Sequence, residues 1–407
     1  MYTTRTTCRV CGSYDLTPLF SLGKQYVSDF PKSGEIPKNK VPIDLEQCNS
    51  CSLVQAKHTA PQDFMYSRFY WYRSGVTETM RTALRYVASR AEGYLEPSNI
   101  ILDIGSNDGT LLRSYKDKEL YYRVGVEPAT NLKEEGSQDI DCFINDFWSY
   151  DAYAQDMFGK AKVVTALGMF YDLEDPNQFI GDIAKVLHKD GVFIAQLMCL
   201  QDTLEKYDVG NFAHEHLEFY TLESLEYLYR QHGLEIFDIE RNEVNGGSYL
   251  IFAGHQWVES FTPEAGVRIQ SIREDERKLR DHNTFAQFRR TIEANRANVL
   301  DLFHSLKKQG KSVWVYGAST KGNVLLQYYG LDASLITGAV ERSPEKYGRV
   351  TVGTNIPIYD EEYARSQNPD YFLVLPYAFI DEFVEREQAF RRRGGRFIVP
   401  LPELRVI

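Results

Sequence analysis

Two cysteine pairs and one histidine–glutamate–histidine run hold the most reactive side chains of this sequence. Cys8-x-x-Cys11 and Cys48-x-x-Cys51 sit in turn-like contexts, Cys8-Arg9-Val10-Cys11-Gly12 and Cys48-Asn49-Ser50-Cys51. Two such knuckles can place four thiolates tetrahedrally around Zn²⁺ at ~2.3 Å per sulfur. Four thiolates saturate the ion and leave no position for water, so the zinc expected here is structural and metal-assisted hydrolysis is disfavoured. The loop between the pairs is longer than in a zinc ribbon. Disulfides are the alternative, although nothing marks the chain as secreted and reducing compartments disfavour them. Cys142 and Cys199 lie in or beside apolar runs and read as inert core thiols.

The run Asn211-Phe212-Ala213-His214-Glu215-His216-Leu217-Glu218-Phe219-Tyr220 is the densest titratable cluster. It lacks the H-E-x-x-H spacing, and positions i and i+2 do not share a helix face, so it fits a metal site poorly. A lone histidine is usually a buried, hydrogen-bonded one, but two around a glutamate are unusual. A histidine tuned near neutral pH by an adjoining carboxylate is a suitable general base, and that role is expected here. Downstream, Asn245-Gly246-Gly247-Ser248 could bring backbone close to a ligand, and a hairpin-like turn explains it nearly as well.

A third pattern is a glycine turn, Leu102-Asp103-Ile104-Gly105-Ser106-Asn107-Asp108-Gly109, placed between the apolar run Asn99–Leu102 and Thr110-Leu111-Leu112. It reads as strand, turn, helix. A second run, Arg123-Val124-Gly125-Val126-Glu127, ends in an acid about twenty residues beyond the glycines, where a carboxylate can take two ribose hydroxyls. The spacing is G-x-x-x-G, not the dinucleotide G-x-G-x-x-G. With Asp103 ahead of the first glycine, the segment resembles motif I of class I S-adenosylmethionine (SAM) methyltransferases. That resemblance implies SAM as cofactor, with Asp103, Gly105, Asn107, Gly109 and Glu127 as its binding residues.

Elements that must position these groups follow from pattern and length. The chain has 407 residues, 43% hydrophobic and 25% charged, which suits a globular protein of two or three domains. A formal net charge of -11 disfavours DNA or RNA as a partner, and Arg391 to Arg393 read as a solvated helix end. No segment approaches the ~18 apolar residues of a membrane span and the first residues lack an apolar leader, so a cytoplasmic location is expected. A helix is expected over Thr77 to Leu95, and strands near Ile100–Ile104, Val124–Glu127, Val163–Leu167 and Gly191–Leu197, with Asp175-Pro176-Asn177 starting a helix. Such alternation implies a parallel sheet. Thr262 to Gln309 reads as helical, with Phe285, Phe288, Ile292, Val299, Leu302 and Leu306 on one face of an interdomain helix. A second α/β unit then begins with Ser312–Tyr316, the turn Gly317-Ala318-Ser319-Thr320-Lys321-Gly322-Asn323 and a helix through Tyr329. Further strands are expected at Leu335–Val340, Tyr371–Leu375 and Arg396–Val399. This turn is not a P-loop. A diphosphate cradle charged by Lys321 and a plain tight turn explain it comparably well.

Together these segments resemble the sugar-nucleotide C-methyltransferases of deoxysugar pathways. The likeness runs through the paired CxxC module, Tyr70-x-Tyr72-x-Ser74 in the aromatic segment Phe69–Gly75, the Asp103–Gly109 turn and His214-Glu215-His216. It continues through Gly246-Gly247-Ser248, Tyr316-Gly317-Ala318-x-x-Lys321-Gly322-Asn323 and Gly394-Gly395-Arg396-Phe397-Ile398-Val399-Pro400-Leu401-Pro402. It implies an α/β chain of a zinc module (1–60), a class I SAM methyltransferase Rossmann-like domain (61–255), and a helical connector with a second Rossmann-like domain that helps hold the nucleotide sugar (256–407). The implied reaction is methyl transfer to carbon beside the ketone of a nucleoside-diphosphate 4-keto-deoxyhexose. A C–H next to a carbonyl is acidic because its anion is an enolate, so base, oxyanion donors and an in-line methyl suffice. By resemblance His216 is the base, Glu215 orients or tunes it, and Tyr70 and Tyr72 line the sugar and donate to the oxyanion. His214, Asp172, Tyr171, Gly246, Gly247, Ser248, Gly317, Lys321 and Asn323 are the expected substrate contacts. The chain departs from its relatives where Asp172 replaces a histidine and Ala213 replaces a tyrosine.

Methylation of oxygen or nitrogen on a similar ligand is the alternative chemistry, needing no carbon acid. A silent SAM or nucleotide-sugar binder is the non-enzymatic one, opposed by the retained cluster and both tyrosines. A dehydrogenase is disfavoured by the missing G-x-G-x-x-G. A monomer is the favoured oligomeric state.

Overall fold

The computed structural model describes residues 2–62, 64–65, 70–155, 158–255 and 262–407. Phe69, and residues 256–261 at the expected start of the connector, lie outside the described residues.

Near the N-terminus the chain forms β1 (Thr3–Thr4), β2 (Leu16–Tyr26), β3 (Lys40–Cys48), β4 (Val54–Ala56) and β5 (His58–Thr59). Strands β2, β3 and β4 pair antiparallel. The fourth strand of this sheet comes from far along the chain. Glu218 and Phe219 pair antiparallel with Gln55 and Val54, and the Leu217 carbonyl accepts from Ala56 N–H at 2.9 Å. The histidine-rich run is thereby anchored to the cysteine module.

The middle of the chain supplies β6 (Ile100–Ile104), β7 (Tyr122–Val126), β8 (Cys142–Ile144), β9 (Ala161–Leu167), β10 (Leu187–Met198), β11 (Glu218–Phe219), β12 (Leu234–Asn242) and β13 (Ser248–His255). Its seven-stranded sheet has the order β12-β13-β10-β9-β6-β7-β8. Strands β6 to β10 run parallel, and β13 inserts antiparallel between β10 and β12. The chain leaves β6 toward β7 and β8, then returns to its other side as β9. Ligands bind in the crevice that such a reversal opens at the carboxyl ends of the strands. All four expected strands fall on β6, β7, β9 and β10. The three-residue β8 is too short for a periodic signal, and β12 follows a helix capped by Thr221.

The flanking helices start where side chains satisfy free N–H groups. Thr77 accepts from Met80 N–H before the helix Glu78–Glu92, and Asp175 accepts from Gln178 N–H before Pro176–Val186. Leu84, Val87, Ala88 and Ala91 form the buried face of the first.

Toward the C-terminus, β14 (Val313–Tyr316), β15 (Gly338–Glu341), β16 (Ile358–Asp360), β17 (Tyr371–Val374), β18 (Arg396–Val399) and β19 (Arg405–Val406) form a six-stranded sheet. Its order is β16-β15-β14-β17-β18-β19, parallel except for β19. The helix His282–Lys308 links the sheets. It buries Phe303 rather than the expected Leu302, beside Phe285, Phe288, Ile292, Val299 and Leu306. Phe288 stands 5.3 Å from Phe20 and 5.7 Å from Phe212, so this helix packs on β2 and on the segment leading into the histidines.

Arg9, inside the first cysteine knuckle, is buried at the junction of these parts. Its Nη1 donates to the Ala56 carbonyl at 2.6 Å and its Nη2 to Thr59 at 2.8 Å. Glu218 lies 3.6 Å away and Glu174 3.4 Å away. Burial raises the Glu218 carboxyl against the Arg9 charge. Glu174, against burial, is held below its usual range by Arg9, Thr59 and Arg5, so removing Arg9 strands mainly the Glu174 charge. Arg9→Met should therefore lower stability by about 3–5 kcal/mol in a denaturant or thermal melt, and Arg9→Met with Glu174→Gln should recover part of that loss.

Candidate active site

A cavity of about 430 Å³ opens at the carboxyl ends of the middle strands. One part is walled by the glycine turn. Gly105 adopts φ +70°, and a Cβ there would lie 2.8 Å from Met169 Cγ. Glycine is thus required both for the backbone conformation and for the close approach. Glu127 follows β7 and is buried. Its two oxygens accept from Asn107 N–H at 3.0 Å and Ala129 N–H at 2.9 Å. A carboxylate has about four lone-pair sites, so two remain for hydroxyls. Burial raises the Glu127 pKa, against these backbone donors. Asn145 Nδ2 donates to the Glu127 carbonyl at 2.8 Å and brings Phe147 and Trp148 to the same cavity.

Asp103 and Gly109 do not line it. Asp103 lies beneath the turn, bonded by Thr165 Oγ1 at 2.6 Å and pushed up to about 7 by burial. Gly109 adopts φ +75° as it enters the helix Thr110–Arg113, where a Cβ would meet the Gly136 carbonyl at 2.7 Å. Both shape the turn. Asn107 borders the cavity, but its amide is committed to a strap formed by Tyr70–Val76. Its Oδ1 accepts from Ser74 N–H at 2.9 Å and its Nδ2 donates to the Tyr72 carbonyl at 3.2 Å. Asp108 takes Gly75 N–H at 2.7 Å, and Asn131 bonds both backbone groups of Tyr70. The strap carries Tyr70 and Tyr72 over the cofactor turn. Asn131, Phe147 and Trp148 carried no sequence signal, being ordinary loop residues until the fold delivers them.

Tyr171, Asp172, Glu215, His216, Ser248 and Lys321 line the remaining wall. His216 Nδ1 lies 2.6 Å from the Asn211 carbonyl. A carbonyl only accepts, so Nδ1 carries the hydrogen and Nε2 keeps a lone pair. The Tyr171 ring meets the imidazole edge-on at 4.8 Å. Asn211 also accepts Lys321 Nζ through Oδ1 at 2.6 Å, so one asparagine, unassigned in the sequence, positions both the histidine and the lysine. Burial and the Lys321 charge push His216 down to about 3, while burial pushes Glu215 up to about 7. The expected tuning is thus reversed: the carboxyl, not the imidazole, sits near neutrality.

Other expected contacts fall elsewhere. His214 turns away to the Val41 carbonyl at 2.9 Å, and burial holds it down at about 4. Gly246 and Gly247 stand behind the wall; at Gly247, φ +131°, a Cβ would lie 2.4 Å from Asp202. Gly317 N–H is used by the Val340 carbonyl, and Gly322 N–H by Ser319, which caps the helix Thr320–Tyr329. That loop is a tight strand–helix turn whose contributions to the cavity are Thr320 and Lys321. Asn323 instead bonds Ser28 and the Asp29 carbonyl, both at 3.0 Å, joining the C-terminal unit to the N-terminal one.

Cys8, Cys11, Cys48 and Cys51 converge, their sulfurs all within 4.8 Å of one another. All are free thiols, with sulfur contacts of 3.5 Å (Cys8–Cys51) and 3.4 Å (Cys11–Cys48). Four soft donors at this spacing fit a tetrahedral Zn²⁺.

Comparison with known proteins agrees in order along the chain. Residues 8–66 match a zinc binding domain family, residues 76–239 a methyltransferase domain, and residues 243–402 the C-methyltransferase C-terminal domain. The C-methyltransferase NovU of Streptomyces niveus is 28% identical over 414 residues, covering 98% of this chain and 96% of the relative. This chain is a SAM-dependent C-methyltransferase with an N-terminal zinc module. Among solved structures, magnesium protoporphyrin IX methyltransferase of Synechocystis PCC 6803 with bound SAM matches 43% of the methyltransferase and 79% of its own chain, at 13% identity and a TM-score of 0.33. The CcbJ methyltransferase of Streptomyces caelestis matches 42% and 89%, at 11% identity and a TM-score of 0.33. Among the described residues of the methyltransferase, no helix is long and apolar enough to cross a membrane.

Two measurements probe this site. Glu127→Ala should weaken SAM binding by about ten- to hundredfold in calorimetry, the worth of hydrogen bonds to a charged group. Glu215 has a folded pKa raised above its unfolded value, so its stabilising contribution is present below pH 4.5 and lost as pH rises through about 7. Glu215→Gln should therefore gain stability over the parent at pH 8 relative to pH 5, by ~3 kcal/mol at most, in paired thermal melts.

Proposed function

We propose that the methyl acceptor is the carbon α to the ketone of a nucleoside-diphosphate 4-keto-deoxysugar. The observation that carries this reading is the His216–Asn211 bond, which leaves Nε2 unprotonated in the cavity that Gly105 and Glu127 also wall. Carbon is a poor nucleophile unless a base first removes a proton from it. A second cavity, of about 290 Å³, shares Tyr70, Tyr72, Glu215 and Thr320 with the first and is bounded by Trp71 and Arg349. The Arg349 guanidinium lies 5.1 Å over the Trp71 ring. An aromatic face beside a cation suits a nucleoside diphosphate, whose sugar then reaches His216 past Lys321.

In this reading Glu127 holds ribose hydroxyls and Gly105 admits the cofactor close to the backbone. When bound, SAM supplies an electrophilic methyl group, which the enolate carbon takes. His216 Nε2 removes the α-proton, and the C–H electron pair passes into the carbonyl. Imidazolium and enolate form together, so each charge offsets the burial penalty of the other. Tyr70, raised well above its ordinary range by burial, stays a neutral donor beside the sugar. Lys321 contributes positive charge for the diphosphate side.

A second assignment makes Glu215 the base, favoured by its position near neutrality. Proton exchange separates the two. With a 4-keto sugar nucleotide in deuterated buffer and no methyl donor, the enzyme should incorporate deuterium at the α-carbon. His216→Asn should slow that exchange by roughly 10²–10⁴-fold with calorimetric SAM affinity unchanged, and Glu215→Gln should largely retain it. The opposite pattern transfers the role to Glu215, and no exchange across a keto-sugar panel removes the substrate assignment.

A further inference from the structure

The turn after β9 places Asp172 in the cavity wall, where the resemblance leads one to expect a histidine. Its surroundings are those of an acid without a partner. Among the described residues no side-chain hydrogen bond reaches either carboxyl oxygen, and Oδ1 is sealed from solvent. Its own backbone N–H is spent on the Met169 carbonyl at 3.0 Å. An ionised carboxylate so placed would lose hydration at Oδ1 and gain no donor there in exchange.

The charges around it point the same way. Glu215 comes from the histidine-bearing loop and Glu218 from β11, while Tyr70 of the strap and Tyr171 present phenols. Lys321 is the cation that opposes them, and it is bonded to Asn211 and divided among Asp172, Asp208 and Glu215. Burial first, then Glu215 and Glu218, hold the Asp172 carboxyl well above its usual range. A neutral carboxyl carries a proton, and no protein acceptor takes it.

Its position is fixed relative to the base. The Tyr171 carbonyl accepts from both Leu217 N–H (2.8 Å) and Glu218 N–H (3.1 Å), tying the two loops together. The Tyr171 ring rests against the His216 ring. Asp172 is therefore the next residue along from the histidine's own contact. Tyr72, another candidate donor, is 43% exposed and sits in the strap rather than on the histidine's own contact.

We infer that Asp172 is a neutral acid that donates a hydrogen bond to the ketone oxygen of the sugar while His216 removes the adjacent proton. This rests on the keto-sugar reading above. The C–H pair becomes the enolate double bond and the carbonyl π pair moves onto oxygen, where the Asp172 O–H holds it. After the carbon–carbon bond forms, the carbonyl returns, Asp172 keeps its proton, and the abstracted proton leaves from the imidazolium. A hydrogen bond to a developing oxyanion in a shielded site is worth far more than one to a resting ketone.

Infrared difference spectroscopy of the full-length enzyme, wild type minus Asp172→Asn at pH 7, tests the protonation state without substrate. A protonated-carboxyl carbonyl stretch assigned to Asp172 is expected, and its absence overturns the proposal. With the keto-sugar nucleotide that the wild type methylates, Asp172→Ala should lose about 10²–10³-fold in kcat. Asp172→Asn, a neutral donor of the same size, should stay within about tenfold of the wild type. An Asn variant as damaged as the Ala variant also overturns the donor role. A wild type that shows the stretch yet methylates none of the keto-sugar panel removes the keto-sugar reading and the donor role with it, while the neutral acid stands.

Discussion

The guanidinium of Arg9 is the constraint from which the site is built. It sits between two cysteines of the zinc module, its side chain shut off from solvent, and faces the acids behind both cavity loops, Glu174 after Asp172 and Glu218 after His216. An unpaired charge at this depth would cost several kcal/mol, so the loops must bring their carboxylates to it. Glu218 in turn accepts from Leu173 N–H at 3.2 Å, binding one loop to the other. When bound, zinc would be held by Cys8, Cys11, Cys48 and Cys51 and would close the knuckle that carries Arg9, while β4 leads away from the second cysteine pair to form the edge on which β11 pairs.

The cavity belongs to all three units, and the polar contacts across their seams are the ones that place its side chains. Gln327 exchanges hydrogen bonds with the backbone of Tyr26, and Asn323 reaches Ser28 and Asp29, so the helix bearing Lys321 is fixed to the N-terminal sheet. Tyr377 donates to Asp208 at 3.1 Å from the opposite side. The strap is held on two fronts as well. Asn107 and Asp108 grip it from the cofactor turn, while Arg73 pairs with Glu345 of the C-terminal unit at 3.0 Å. The cofactor turn, the strap and the C-terminal unit are thus joined through Asn107, Asp108 and Arg73.

Much of this was legible in the residues. The glycine turn, Glu127 and the cysteine pairs are local patterns whose chemistry depends on few neighbours. Parallel strands with buried faces leave long apolar runs, which is why β6, β7, β9 and β10 were readable. What could not be read is what depends on a distant partner. His214 and His216 are alike in the sequence, and only the strand β3 carbonyl of Val41 takes the first out of the cavity. The glycines at 246 and 247 point to close approach, and what comes near a Cβ there is Tyr377 at 3.5 Å for the first and Asp202 at 2.4 Å for the second. Asn211, an unremarkable amide at the head of its segment, holds two site residues at once because the C-terminal unit docks there. The tuning of His216 depends on a distant partner in the same way: burial and the Lys321 charge, delivered by the C-terminal unit, lower the imidazole.

The cavity manages charge by suppressing its own acids. Burial holds the Asp172 carboxyl well above its usual range and Glu215 near 7, while Lys321 is bonded to Asn211 Oδ1 with Asp208, Glu215 and Asp172 around it. Such a pocket is poorly suited to any single ion, since a buried charge needs a partner to replace its water. On the reading proposed above, it takes two ligands of opposite charge together, a sulfonium against the Glu127 wall and a diphosphate on the Lys321 side. A strongly basic histidine here would be protonated by the first acid it met, and a protonated ring cannot take a proton from carbon. An imidazole kept neutral by burial, with its tautomer fixed by Asn211, keeps its lone pair until a carbon acid is beside it. For the base proposed here, the burial that weakens His216 in the empty pocket is also what keeps its lone pair available to a carbon acid in the filled one.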